Sequence, residues 1–202
     1  KMVDFFKDNL SIKSILEPSC GDGVFVEALL ESQFFSQYKK VTAIEIEKQE
    51  AEKLDEKLKD NSNIDVVNGD FFEFYHKHKD MDSFDLILGN PPYIRYQYLD
   101  KEMQERAQQL FKLMGMKFSK HTNAWIPFVI SSIKFLNAGG HLGMILPSEL
   151  LHVLYAKGLR DYLLQECSRI LIIDPEDLWF EDTLQGVIVL MAEKKYDSNQ
   201  KT

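Results

Sequence analysis

Pro91 and Pro92 stand directly behind the apolar run Phe84-Asp85-Leu86-Ile87-Leu88-Gly89, and this pair constrains the chain more than any other feature. The run reads as a buried strand. Proline lacks the N–H that a sheet ladder needs and fixes φ, so the strand must end at Gly89. Asn90 and Tyr93, on either side of the pair, are then presented on a stiff, irregular loop. An amide held rigidly beside an aromatic ring suits a planar amine. The Asn90 side-chain oxygen accepts one N–H, the Pro91 carbonyl accepts the other, and Tyr93 stacks on the ring.

A chain of 202 residues, 45% of them apolar, is long enough to bury a sizeable core. Residues 1–195 are expected to form one domain and 196–202 a polar tail. Two cysteines, Cys20 and Cys167, make neither a disulfide framework nor a metal site, which points to a reducing, cytoplasmic setting. No apolar stretch approaches the ~20 residues that span a bilayer, so no membrane contact is expected. No signal peptide is recognisable, and the opening Lys1-Met2-Val3 reads as the start of a piece of a longer polypeptide. His76 and His78 lie among lysines and read as solvated residues, so no metal is expected.

The net charge of −8 disfavours unaided binding to a polyanion. Residues 94–123 depart from that average, with six basic side chains against three acidic ones. Arg95, Lys112, Lys117 and Lys120 in this stretch are candidates for phosphate contacts. A solvated helical face would show the same pattern.

Strand and helix patterns alternate along the chain. Strands are expected at 14–17, 41–45, 64–67, 84–88, 141–146, 169–173 and 187–191. Helices are expected at 24–35, 48–59 and 124–136, the last closed by a C-cap at Asn137-Ala138-Gly139-Gly140. A further helix capped by Ser148 should run to Glu166. Such alternation implies an α/β fold, a mostly parallel sheet with helices on both faces, and ligands bind such sheets at the carboxyl ends of the strands.

The first of those ends carries Glu17-Pro18-Ser19-Cys20-Gly21-Asp22-Gly23. Gly21 and Gly23 allow a sharp bend and close approach to a ligand. A pyrophosphate-binding loop would want a third glycine where this chain has Val24-Phe25-Val26, and Glu17, Asp22 and Glu27 add negative charge. The loop therefore suits a ligand without phosphates, and better a cationic one. Glu45 ends the second strand about 20 residues further on, where an acid accepts ribose hydroxyls. Asp70, after the third strand, is placed to accept an adenine amino group, with Phe71 or Phe72 packing on the ring. Phe71, Phe72 and Phe74 as plain core is the alternative.

An adenosyl group, a positive centre and no phosphate together describe S-adenosylmethionine. At this point the chain resembles the N6-adenine DNA methyltransferases of restriction–modification systems whose cofactor motifs precede the catalytic one. Leu16–Gly23, Ala43–Ile46 and Gly69–Phe72 resemble their three cofactor motifs, Phe84–Arg95 the catalytic motif, and Phe135–Ser148 a later structural one. The resemblance implies a Rossmann-like, S-adenosylmethionine-dependent methyltransferase fold with a seven-stranded sheet and an antiparallel last strand. It implies cofactor contacts from Glu17, Pro18, Cys20, Gly21, Gly23, Glu45, Ile46, Asp70, Phe71 and Asn90, and catalysis by Asn90, Pro91, Pro92 and Tyr93. The partner it implies is DNA, with a flipped base held between Tyr93 and a second ring, Phe180 before Trp179. The upstream Thr-Pro segment and the target-recognition domain of that family have no counterpart in these residues. Enzymes that methylate a protein glutamine amide or RNA share the Asn-Pro-Pro-Tyr signature and stay open as alternatives, as does a non-catalytic cofactor-binding subunit.

Overall fold

The computed structural model describes residues 2–6, 9, 11–32, 40–80, 83–99, 101–113, 122–175 and 186–196. Seven strands form one sheet: β1 Ser14–Glu17, β2 Lys40–Glu45, β3 Ile64–Asn68, β4 Phe84–Gly89, β5 Leu136–Pro147, β6 Cys167–Ile173 and β7 Val187–Lys194. Their order across the sheet is β3-β2-β1-β4-β5-β7-β6. Neighbours from β3 to β5 are parallel, and β7 runs antiparallel between β5 and β6. The order reverses at β1, which has β2 on one side and β4 on the other. A crevice must open there, because the chain leaves β1 and β4 towards opposite faces.

Alternate residues of these short strands are buried on opposite faces, which explains their continuous apolar runs. Ile15, Val41, Leu86 and Leu88 pack with helices α1 (Val24–Glu31) and α2 (Lys48–Leu58). Leu16, Ile44 and Ile87 pack with α3 (Phe71–His78), α4 (Lys101–Leu113), α5 (Trp125–Phe135) and α6 (Lys157–Glu166). The amphipathic spacing of Ala51, Leu54 and Leu58 correctly gives α2, one apolar stripe under a charged face.

Three expectations are corrected. Asn137–Gly140 do not cap α5: the extended Leu136 is its C-cap, with its N–H donating to Ile133 O and Ser132 O, and Asn137–Gly140 lie inside β5, where the register against β4 jumps. Gly139, at φ 72°, makes the kink within an extended chain instead of ending a helix. Ser148 caps no helix. It opens a 3-10 turn, Ser148–Leu151, and a second turn, Leu154–Ala156, precedes α6. Arg160 Nη1 donates to Leu150 O and Val153 O, both at 2.9 Å, and so satisfies carbonyls that this break leaves without helical partners. Helix α1 is described to Glu31, with Ser32 extended behind it, instead of running to 35.

At the foot of the sheet, Asp85 ties three segments together. Its Oδ2 accepts from Lys13 N, Ser14 N and Ser14 Oγ at 2.9 to 3.1 Å, and its Oδ1 accepts from Asn137 Nδ2 at 2.7 Å. Burial raises this carboxyl, but these hydrogen bonds outweigh burial and hold it below its ordinary value. A depressed acid stabilises the fold above its unfolded pKa, and that contribution disappears as pH falls through the folded value. Asp85→Ala should cost about 2 kcal/mol at pH 7. The gap from wild type should close as the pH is lowered below about 4, as read by thermal unfolding of both proteins across that range.

Candidate active site

The ends of β1, β2, β3 and β4 meet around one cavity of about 410 Å³. Its floor is built by Glu45, which is only 8% exposed. Glu45 Oε2 accepts the Gly21 N–H at 2.7 Å and Oε1 accepts the Glu47 N–H at 2.8 Å. The glycine bend is thereby fixed against the end of β2, helped by Cys20 N donating to Ile44 O at 2.9 Å. Gly23 adopts φ 86°, and a Cβ there would stand 2.4 Å from Leu54 Cδ1. Gly21 faces open space, so its backbone can meet a ligand directly. Asn68 Nδ2 donates to the carbonyls of Glu45 and Ile46 at 2.9 and 3.1 Å and brings the β3 end to the same rim.

The double-proline loop forms the opposite rim. Ser19 Oγ donates to Asn90 O at 3.3 Å, and a Cβ on Gly89 would lie 3.3 Å from Pro18 Cδ, so the two loops touch. Pro91 is buried, whereas Asn90 is exposed at the cavity edge. Tyr93 is half-buried. Its hydroxyl lies 2.8 Å from Asn90 Oδ1 and 3.1 Å from Ile145 O, and it donates its single proton to one of them at a time. Burial pushes this hydroxyl well above its ordinary pKa, so it remains a donor.

Of the residues expected from sequence, Pro18, Gly21, Glu45, Ile46, Asp70, Phe71, Asn90 and Pro92 line the cavity. Glu17, Cys20 and Gly23 lie buried in the glycine loop itself. Glu17 is 2% exposed, and its Oε2 has no hydrogen-bond partner among the described residues. Burial above all, with Asp22 and Glu45 adding to it, raises its carboxyl well above the ordinary range. Phe71 is both core and cavity wall. Asp70 also has partners within the protein: its Oδ1 caps α3 by accepting from Glu73 N at 2.8 Å and pairs with Arg106 Nη1 at 2.9 Å. Arg95 and Lys112 are exposed; Lys117, Lys120, Trp179 and Phe180 lie outside the described residues.

Sequence reading missed α3 and α4; it also did not single out Tyr98 and Leu99 ahead of α4, Met103 on it, or Phe128 on the expected helix α5 as cavity wall. Two signals were available. Asp70 and Glu73 have capping-box spacing, and Met103, Ala107, Leu110 and Phe111 follow helical spacing on α4. Nothing local marks the residues of that helix as a pocket wall.

A sheet of this order, a glycine bend after β1 and acids ending β2 and β3 define the class: a Rossmann-like methyltransferase fold. The structure superposes on a protein described as a class I S-adenosylmethionine-dependent methyltransferase from Listeria monocytogenes, with a TM-score of 0.77 at 15% identity, covering 99% of this chain and 58% of that one. It also superposes on a type I restriction-modification methyltransferase subunit from Streptococcus thermophilus, with a TM-score of 0.75 at 17% identity, covering 96% and 42%. Residues 3–179 match the Eco57I restriction-modification methylases, and the chain belongs to that family. The type II methyltransferase M.AccI of Acinetobacter calcoaceticus is 28% identical over 95% of this chain and 34% of its own length. M.HincII of Haemophilus influenzae is 32% identical over 77% and 27%. The chain thus spans about a third or less of these relatives' length.

Cys20 and Cys167 are buried, and burial pushes each thiol up to about 12. At pH 8 only about one thiol in ten thousand is then the reactive thiolate. Iodoacetamide should label neither cysteine in the native protein and both in denaturant, as read by intact mass. Rapid native labelling of Cys20 would show it to be a nucleophile at the pocket and not a packing residue.

Proposed function

We propose that this chain carries the methyl-transfer site of a restriction–modification DNA methyltransferase, which uses S-adenosylmethionine to methylate the N6 amine of an adenine turned out of the duplex. The observation that carries this reading is the contact between the two loops. The amide of Asn90 stands on the rim of the cavity that Gly21, Glu45 and Asp70 build, held there through Ser19 and Pro18. A donor and an acceptor bound on either side of that rim would meet in line.

The donor set fits the cofactor. Glu45 still has lone pairs for ribose hydroxyls beyond those given to Gly21 and Glu47. Phe71 and Ile46 offer apolar surface to a purine. Glu45 on the cavity floor and Asp22 beside the bend favour positive charge. When bound, the cofactor supplies a methyl group on a cationic sulfur.

Asn90 Oδ1 spends one lone pair on Tyr93 and keeps the other for a substrate N–H, and the proline after it leaves the Pro91 carbonyl for the second. Together they draw the amine nitrogen towards a tetrahedral shape and localise its lone pair. The same two acceptors would hold the amine's N–H groups in place until its surplus proton leaves for water. Fixed dipoles and positioning supply the catalysis, with no basic side chain required. Base flipping brings the target within reach, with the Tyr93 ring against one face and, by the family resemblance, Phe180 against the other. Arg95 and Lys112 supply phosphate contacts.

Methylation of unmodified DNA by the full-length polypeptide, followed by nucleoside analysis, should yield N6-methyladenine; methylcytosine, or methyl transfer only to RNA or a glutamine amide, would overturn the assignment. Asn90→Ala should abolish transfer, by at least about a hundredfold, while cofactor binding measured by calorimetry stays within twofold of wild type. Glu45→Ala should do the reverse first, weakening cofactor binding about tenfold or more, because it loses both the ribose acceptor and the grip on Gly21.

A further inference from the structure

The outer wall of the cavity comes from the segment behind the double-proline loop. Tyr98, Leu99 and Met103 line the cavity together with Gly69, Asp70 and Phe71. This wall belongs to no strand: Tyr98 sits in a three-residue 3-10 turn and is 71% exposed. Internal hydrogen bonds make the segment one unit. Gln104 Nε2 donates to Leu99 O at 2.7 Å, and the Tyr96 hydroxyl donates to Gln104 O. Behind it, Ala107, Leu110 and Phe111 anchor the far part of α4 in the core.

At the pocket end, Arg106 links α4 to the residues that follow β3. Its Nη1 lies 2.9 Å from Asp70 Oδ1 and its Nη2 lies 3.4 Å from Glu102 Oε2. The Arg106 and Asp70 side chains are 26% and 12% exposed, against 75% and 66% for a surface pair such as Lys48–Glu52. A sheltered, hydrogen-bonded pair of this kind is screened far less than a surface pair and holds its geometry. The same Asp70 oxygen caps α3. One carboxylate therefore joins the end of β3, the start of α3 and the wall helix.

We propose that Arg106 is a positioning residue for the cofactor pocket: its ion pair with Asp70 latches the pocket end of α4 across the adenine end, setting the Tyr98, Leu99 and Met103 wall and the Asp70 carboxylate in one arrangement. This rests on the reading that the cavity takes an adenosyl ligand. Without the guanidinium, the wall loses its tie to the sheet and Asp70 loses the charge that fixes its rotamer. The bound purine is then less enclosed and leaves faster. The effect belongs to the adenosine end, because the latch joins α4 to Asp70 behind β3 and not to the glycine bend, where the amino-acid end would lie.

The test uses the full-length polypeptide and two probes, S-adenosylhomocysteine and 5′-methylthioadenosine, which lacks the amino-acid end. Arg106→Gln should raise Kd for both by the same factor, about tenfold, through a faster dissociation rate. Arg106→Lys preserves charge and fold but offers a point charge where the fork spans Asp70 and Glu102, and should give a smaller rise, about threefold. Both variants should keep the asparagine-dependent chemistry, so that the rate at saturating cofactor falls less than twofold. Unchanged Kd in both variants, or weakening confined to S-adenosylhomocysteine, would overturn the latch. If wild type itself binds neither probe, the adenosyl reading fails instead, which separates the two failures.

Discussion

The carboxylate of Glu45 is the interaction on which the rest of the pocket depends. It is nearly buried, and both its oxygens accept backbone N–H groups, one from the glycine bend after β1 and one from the start of α2. Backbone donors left open by a sharp turn need partners when they lie near the protein interior. Glu45 supplies one for Gly21 without filling the space in front of it. A ligand can therefore approach the bare backbone, while the loop keeps its shape.

The order of the parallel sheet converts that local device into a two-sided site. Because β1 and β4 are neighbours running the same way, the glycine bend and the double-proline loop leave the sheet at the same edge. Short side chains then suffice to join them: Ser19 reaches Asn90 O, and Gly89 makes room for Pro18. Tyr93 extends the stitch to β5 through its hydroxyl at Ile145 O. The Asn90 loop is thus supported from three strands, the kind of rigid backing that precise positioning of a side chain requires.

Charge sets the character of the cavity. Glu17, Asp22 and Glu45 crowd one end, and burial keeps Glu17 from ionising easily. At the other end Asp70 is neutralised by Arg106. The pocket is therefore polarised, acidic by the glycine bend and balanced beside the apolar wall. That division matches a ligand with a cationic part and a flat neutral part.

The sequence by itself determined the strands, their alternation with helices, and the two loops that matter. Continuous apolar runs, Gly21, Gly23, Pro91 and Pro92 act through local backbone constraints, which are visible in a single chain. It also singled out Glu45, Asp70 and Asn90, since their distance behind each strand places them at one edge of a parallel sheet. Only the tertiary structure decided the company these residues keep. Arg106 meets Asp70 at a separation of 36 positions along the chain, and Tyr93 meets Ile145 at a separation of 52. Such pairs are chosen by how α4 and β5 pack, and packing is a property of facing surfaces that no local spacing records. For the same reason the run 137–140 looked like a helix stop and became a kink in β5: its glycine permits a positive φ, and the surrounding sheet decides what that turn is used for.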